Sequence, residues 1–231
     1  MIISHLSEEY KESIKKYHVS IAYNGAYFYS KELVENIIPY IKTDYNWVTI
    51  NCHKAMDHSI VFIHNNNDPH LYDWLQDYKD IVLVVSQKST GRKVRYLSDK
   101  IIYLPLSIDV SYVSRFKRKN KPFDLAFVGR KSKRMYSTVK FNEKCDYLEG
   151  MERDRLLNKI AQYRRVYAVG RCALEAKVLG CEVLPYDSRY PDPEVWKVLD
   201  NSEVIPKLQR AINRIVKKEN KLNGTDAYQS K

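Results

Sequence analysis

The chain is 231 residues long, with 44% hydrophobic and 29% charged residues and a formal net charge of +11. These values exclude a disordered or low-complexity chain and predict a globular protein with an anionic partner. A nucleotide, a nucleic acid, an anionic polymer and a membrane surface all qualify. Because the first 16 residues lack a secretory signal and no run of about 18 apolar residues occurs, we expect a cytoplasmic protein without a transmembrane segment.

The first half of the chain alternates short apolar runs with helical patterns. Helices are predicted at Lys31–Ile41, with Ser30 as N-cap, and at Leu71–Tyr78, with Asp68 as N-cap. The predicted strands are Val19–Tyr23, Trp47–Asn51, Ser59–His64, Ile81–Ser86 and Lys100–Leu104. This alternation is typical of βαβ units built on a parallel sheet.

A second series of the same kind follows. Its predicted strands are Asp124–Val128, Val166–Val169 and Cys181–Pro185. Its predicted helices are one capped by Asp109, then Met151–Tyr163, Arg171–Leu179, Pro193–Leu199 and Ile205–Lys218. The fold class is therefore predicted as α/β, with two Rossmann-like lobes whose sheets are mainly parallel. The lobes are residues 1–106 and 107–218, and a flexible tail is predicted at 219–231.

The four cysteines form no C-x-x-C pair and are interpreted as free thiols in a reducing compartment. A zinc site built from Cys52, His53, His58 and His64 is the alternative. Its spacing matches no compact zinc pattern, so we predict no bound metal.

Ligands of open α/β sheets bind at the carboxyl ends of strands, near helix N-termini. Gly129 follows an apolar strand directly and permits close approach of a ligand to the backbone. Four cations come next and are suited to neutralising phosphate: Arg130, Lys131, Lys133 and Arg134. We interpret this segment as a phosphate-binding loop, with a solvated basic loop as the alternative.

Gly170 likewise separates a strand from a helix, whose first residues are Arg171 and Cys172. The helix N-terminus and Arg171 together favour an anion. Glu175 lies one turn further on the same side and can accept hydrogen bonds from two vicinal hydroxyls, such as those of a ribose. The alternative is an internal ion pair between Arg171 and Glu175.

Three stretches resemble GT-B glycosyltransferases, in the order and separation seen in that family. Asp124–Arg130 is similar to the strand and "VGR" loop that open the family's C-terminal domain. Ala173–Leu184 resembles its "LEA-x-x-x-G-x-x-V" segment, and Leu104–Asp109 resembles its "P-x-G-I-D" linker. The resemblance covers residues 100–190 and suggests a small, phage-type member.

The resemblance implies a metal-independent transferase that uses a nucleoside-diphosphate sugar, with a UDP-sugar favoured, and no cofactor. Arg130 and a downstream cation, Lys133 or Arg134, would contact the diphosphate next to Gly129. The backbone at Gly170–Cys172 would face the phosphates or the sugar, and Glu175 would bind the ribose. Tyr167 stands where retaining members carry a glutamate, which favours inversion.

In this architecture the first lobe holds the acceptor. Asn24 and Gly25 follow the first strand and are candidates for contact with it. His64 or Asp68 is the candidate base, because His64 ends the third predicted strand, Asp68 comes soon after it, and a histidine pKa lies near neutrality. The alternatives are a hydrogen-bonded strand-end histidine and a helix cap.

Residues Arg115–Lys140 contain ten of the basic residues and one acid, Asp124, a local charge of +9. This exceeds what a diphosphate requires, so a phosphate backbone is a candidate second ligand. A modified base in DNA, flipped from the stack, and an anionic polymer are candidate acceptors, and an anionic membrane surface would fit the charge equally well. The alternative function is a non-catalytic protein that binds nucleic acid or a nucleotide derivative on a Rossmann-like scaffold.

Overall fold

The computed structural model describes residues 36–48, 57–63, 69–129, 135, 137, 145–190, 192 and 196–226. The chain divides into two compact units. Unit 1 comprises Met1–Pro105 together with Ser202–Lys231, and unit 2 is the continuous stretch Leu106–Asn201. The second predicted lobe thus ends at Asn201 instead of 218, because the last helix belongs with the first unit.

The described residues contain eight strands and five α-helices. The strands are β1 (Asn46–Val48), β2 (Ser59–Ile63), β3 (Ile81–Val85), β4 (Ile101–Tyr103), β5 (Phe123–Val128), β6 (Asp146–Leu148), β7 (Tyr163–Tyr167) and β8 (Glu182–Leu184). The helices are α1 (Lys88–Lys93), α2 (Val110–Ser114), α3 (Arg153–Ile160), α4 (Arg171–Val178) and α5 (Asn201–Asp226). Two 3-10 helices, Ile38–Tyr40 and Pro69–Asp77, complete the described set.

Unit 1 is built on a parallel sheet with the order β1-β2-β3-β4. Every residue of β2 and β3 is buried. Such uninterrupted apolar strands are the ones covered on both faces of a sheet. Leu75 of the 3-10 helix between β2 and β3 packs into this core, fully buried.

Unit 2 is built on a second parallel sheet, with the order β6-β5-β7-β8. The chain leaves β5 for β6 on one side and then returns to β7 on the other. The direction of winding therefore reverses between β5 and β7, which is the topological switch point of a doubly wound sheet.

The two faces of the unit 2 sheet are buried in different ways. One face packs against helices α3 and α4, whose Leu157, Ile160 and Ala173 are fully buried. The opposite face carries a second cluster that is rich in aromatic side chains: Leu125, Phe127, Tyr167, Val169 and Tyr186. Burial of both faces explains why β5 reads as a continuous apolar run.

The predicted α/β class with mainly parallel sheets is confirmed, since every described strand pairing is parallel. Several predicted bounds are wrong. The strand predicted at Val166–Val169 begins at Tyr163 and ends at Tyr167. The apolar pattern missed its first residues because it includes Arg164 and Arg165, which are exposed and partly exposed. The helix predicted at Leu71–Tyr78 is the 3-10 helix Pro69–Asp77.

The C-terminal part of the chain also differs from the prediction. Helix α5 extends through Asp226, so the predicted tail from 219 begins as helix. Residues 196–199, where the pattern predicted a helix, are irregular. No helix in the described ranges combines the length and apolar character that crossing a membrane requires. The predicted strand Val19–Tyr23 and the first five residues of the predicted helix Lys31–Ile41 lie outside the described residues, and Ile38–Tyr40 within that helix form a 3-10 helix.

Candidate functional site

Two glycines stand on either side of the switch point of unit 2. Gly129 follows β5, and its N–H donates to Leu148 O of β6 over 3.0 Å. Gly170 follows β7 after two further residues. Because β5 and β7 are parallel neighbours, both glycines lie at the edge where the strands have their carboxyl ends, here called the C-terminal edge.

Both glycines have backbone conformations that other residues rarely adopt. Gly129 has φ 134° and Gly170 has φ 60°. A Cβ at Gly170 would meet nothing nearer than Tyr190 Cε1 at 4.0 Å, so there is space for a side chain. Glycine is favoured here because of the positive φ and not because of steric crowding. The turn allows the chain to leave β7 and enter α4 directly.

Helix α4 begins immediately after this turn, with Gly170 as its N-cap. Gly170 O accepts hydrogen bonds from Ala173 N at 3.1 Å and Leu174 N at 3.4 Å. The N–H groups of Arg171 and Cys172 thus precede the first helical hydrogen bonds, at the positive end of the helix dipole. This end of α4 lies at the C-terminal edge of the sheet.

A buried carboxylate binds two arginines next to this helix end. Glu175 Oε1 accepts from Arg171 Nε at 3.0 Å and from Arg153 Nη2 at 3.3 Å. The Glu175 side chain is 6% exposed, and those of Arg171 and Arg153 are 13% and 18% exposed. Glu175 thus holds both guanidinium groups beside the switch point.

Of the two sequence-based interpretations of Glu175, the structure contains the internal ion pair with Arg171. Arg153 extends it, and sequence reasoning missed this residue because the strand before it, β6, was not predicted. Arg153 is the first residue of α3, three residues after Gly150, whose φ is 67°. A glycine close to a helix start was the signal that could have drawn attention to it.

Arg153 also contacts the ring of Tyr112, with 5.1 Å between Cζ and the ring centroid. Burial, and then a hydrogen bond donated to Asp154, raises the pKa of Tyr112 to about 12. Asp109 accepts from Tyr112 N at 2.7 Å and caps α2, as predicted. Arg153 is thus held by stacking as well as by its ion pair.

The loop after β8 adds a second buried ion pair near Gly170. Asp187, whose side chain is 1% exposed, accepts from Arg189 Nε at 2.8 Å and from Arg189 Nη2 at 2.6 Å. The ring of Tyr190 stacks edge-on against Trp196, with 6.4 Å between centroids. Burial is the main cause that raises the pKa of Tyr190. No sequence motif pointed to this loop.

The described cations of the basic segment Arg115–Lys140 all precede strand β5, and those from Arg130 onward lie outside the described residues. Strand β5 divides the segment, and residues 115–122 precede the strand while Arg130 follows it. The six residues of β5 span about 17 Å. The cations from 115 to 121 therefore lie toward the opposite edge of the sheet, here called the N-terminal edge.

One of these cations has a structural role. Lys121 Nζ donates to Ala161 O at 3.1 Å and to Leu179 O at 3.0 Å, which are the C-cap residues of α3 and α4. Cations at helix C-termini satisfy the last carbonyl groups and stabilise the helix dipole. Cys181 Sγ lies 3.5 Å from the same ammonium group, and burial raises the pKa of this thiol.

Several predicted site residues lie outside the described residues: Asn24, Gly25, His64, Asp68, Arg130, Lys133 and Arg134. Of the alternative zinc set, only His58 is described, and it bonds Asp80 instead. Within the described ranges, no group of three or more His, Cys, Asp or Glu side chains is arranged to hold a metal ion. Cys145, Cys172 and Cys181 are free thiols; Cys181 is buried and the other two are half-buried.

Comparison with known proteins finds no matching family, no matching curated protein and no matching solved structure.

Proposed function

We propose that this protein is a glycosyltransferase that moves a sugar from a nucleoside-diphosphate sugar to a hydroxyl acceptor. The donor's diphosphate would bind at the C-terminal edge of unit 2. The observation that carries the proposal is the pair of positive-φ glycines, Gly129 and Gly170, on either side of the switch point. Such positions bring backbone N–H groups close to a phosphate.

The charges near Gly170 support a diphosphate rather than a neutral ligand. Arg171 and Arg153 both lie beside the N-terminus of α4, where they share the carboxylate of Glu175. We infer that Glu175 positions both guanidinium groups, so that they can stabilise charge developing on the leaving diphosphate. Both arginine contacts are to Glu175 Oε1, and contact of this carboxylate with a ribose, which the family resemblance implies, stays a prediction.

The residues after β5 complete the proposed donor site. Arg130, Lys133 and Arg134 follow Gly129 directly in the sequence, and bidentate arginine contacts are well suited to phosphate. Sugar transfer also needs a base, for which His64 and Asp68 remain the candidates. No cofactor is needed for this chemistry, since the nucleotide is the leaving group.

Donor binding is tested with a panel of UDP-, GDP-, ADP- and dTDP-sugars in thermal-shift and diphosphate-release assays. At least one donor is expected to raise the melting temperature and to be slowly hydrolysed. Arg171→Gln should weaken that donor about 10- to 100-fold, the range of a charge-assisted hydrogen bond. The matched control is Arg155→Gln, an exposed cation of α3. A panel without any stabilising donor would disprove the proposal.

The catalytic step is tested separately from donor binding. His64→Asn or Asp68→Asn should abolish transfer while the donor still raises the melting temperature. If a donor binds to the wild-type protein without ever being turned over, the alternative function applies, namely a non-catalytic nucleotide-binding protein. The cations at residues 115–119 lie away from the switch point, and they favour a nucleic acid as a second ligand in that alternative.

A further inference from the structure

A basic surface lies toward the N-terminal edge of unit 2, away from the proposed donor site. We define it by five exposed cations and one exposed ring: Arg115, Lys117, Arg118, Lys119, Arg164 and Phe123. We propose that this basic surface binds single-stranded nucleic acid, with its cations on the phosphate backbone and one base stacked on Phe123. The inference does not depend on the proposed glycosyltransferase activity.

Side-chain contacts fix where the basic surface lies. Arg118 Nη2 donates to Asn158 Oδ1 over 2.7 Å, near the end of α3. Lys117 Cε would lie 3.6 Å from a Cβ built on Gly180, just after α4. Arg164 Nε donates to Lys121 O over 3.3 Å. The segment thus crosses the C-terminal ends of both helices, at the N-terminal edge of the sheet.

Helix dipoles alone do not account for so many cations. Lys121 already donates to the carbonyl groups at the ends of both helices. None of the five exposed cations forms an ion pair with a carboxylate in the part of the chain that the structure describes. The nearby Asp124 is paired with Arg165 at 2.6 Å instead. Five positive charges therefore remain for an external polyanion.

The exposed aromatic ring favours a single strand over other polyanions. Phe123 is 42% exposed, although it begins the central strand β5. Its ring leans on Tyr163, with 5.3 Å between centroids and 34° between the planes, so one face is supported. Bases of a single strand stack on such rings, whereas bases in a duplex are stacked on one another. A single strand uses both the ring and the charges.

The test measures binding of a fluorescein-labelled 20-nucleotide thymidine strand by fluorescence anisotropy. We expect binding at 50 mM NaCl that weakens about 100-fold by 200 mM, the loss for five released counterions on a single strand. Lys117→Glu/Lys119→Glu should reduce affinity more than tenfold. Phe123→Ala should reduce it at least fivefold, as for one lost stacking contact.

The matched control is Lys207→Glu/Lys217→Glu, which reverses two exposed lysines of α5 in unit 1. It should bind the strand within twofold of wild type. Circular dichroism and melting temperature verify that each variant is folded. Diphosphate release should be equal in all variants, so that failure here and failure of the proposed activity are told apart.

Several outcomes would overturn the proposal. One is absent or salt-independent binding of the strand. Another is unchanged affinity in both surface variants. Preference for a duplex of the same length would contradict the role of Phe123. Binding to vesicles of 70% phosphatidylcholine and 30% phosphatidylserine without binding to the strand would assign the surface to a membrane instead.

Discussion

The carboxylate of Glu175 is expected to contribute both to the stability of unit 2 and to the proposed donor site. It is nearly buried and accepts from Arg171 and Arg153. Removing one member of a buried ionic group is costly, since the remaining charges lose their compensation while their desolvation persists. The same carboxylate that would position the donor's cations therefore also stabilises the fold.

Glu175→Gln is expected to lower the free energy of unfolding by about 3 kcal/mol, because the neutral amide cannot compensate two guanidinium groups. Urea denaturation followed by circular dichroism measures this change. The control Glu182→Gln alters an exposed glutamate at the start of β8 and should change stability by less than about 0.5 kcal/mol. Equal midpoints for the two variants would contradict the structural role of Glu175.

Lys121 also has a structural role, which distinguishes it from the exposed cations next to it in the sequence. Lys121→Met removes two hydrogen bonds to the C-caps of α3 and α4 and should cost about 1 to 3 kcal/mol. Lys119→Met, two positions away and exposed, should cost less than about 0.5 kcal/mol. Thermal and urea unfolding measure both, and a greater loss from Lys119→Met would reverse this assignment.

At the level of elements, the N-terminal edge of the unit 1 sheet carries an ionisable network. The four residues that immediately precede β1 to β4 are Tyr45, His58, Asp80 and Lys100. Asp80 accepts from the other three, with Tyr45 Oη at 3.1 Å. Tyr45 and Lys100 also bond Glu219 of α5. This network attaches the C-terminal helix to the sheet within unit 1.

Stability at low pH should depend on Asp80. Burial disfavours its charged form, but hydrogen bonds from Lys100 and His58 outweigh burial and lower its pKa. Since the folded pKa is below the unfolded value of about 3.9, the contribution is present above that pH and is lost as the pH falls through the folded pKa. The wild-type advantage over Asp80→Asn is thus expected to be full at pH 7 and to become smaller as the pH falls from about 4 to 2.

Asp80→Asn suits this measurement because Asp80 has φ 56°, which asparagine also tolerates. The gap in unfolding free energy at pH 7 should be about 1 kcal/mol, the scale of a partly exposed ion pair. The control Asp99→Asn alters an exposed carboxylate outside the network. A gap that stays constant from pH 7 to pH 2 would show that charge is not its cause.

How far the sequence predicts an element depends on how much of it is buried. Strands β3 and β5 were predicted to within a residue because their apolar runs are continuous. Strand β6 was missed, since only Leu148 of its three residues is buried. Helix α1 was missed because its sequence, KSTGRK, has no apolar periodicity.

The site follows the same rule. The ion pair of Arg171 and Glu175 follows from helical spacing alone, and the sequence therefore predicts it as the alternative to a ribose contact. Arg153 is 22 positions from Glu175, and only tertiary packing brings the two together. The Asp187–Arg189 pair depends on an irregular loop, which no periodic pattern describes.

At the level of the whole molecule, unit 2 is continuous in the chain and unit 1 is not. A fragment of residues 106–201 should therefore fold by itself, because it contains its own sheet and core. Circular dichroism and a cooperative urea transition measure this, with the wild-type chain as reference. A fragment of residues 1–105 is the comparison, and it should be less stable because it lacks α5. A non-cooperative 106–201 fragment would contradict the assignment.

The two ends of unit 2 lie side by side. Ser107 Oγ bonds Asn201 Oδ1 at 2.8 Å, and Ile108 forms an isolated parallel bridge with Asp200. Unit 2 contains its own sheet and core, so it can fold independently of α5. Once unit 2 is folded, the two parts of unit 1 are joined through its adjacent ends and no longer through a long flexible loop. That lowers the loop-closure cost of completing unit 1 by about 3 kcal/mol, so the inserted unit assists the unit it interrupts.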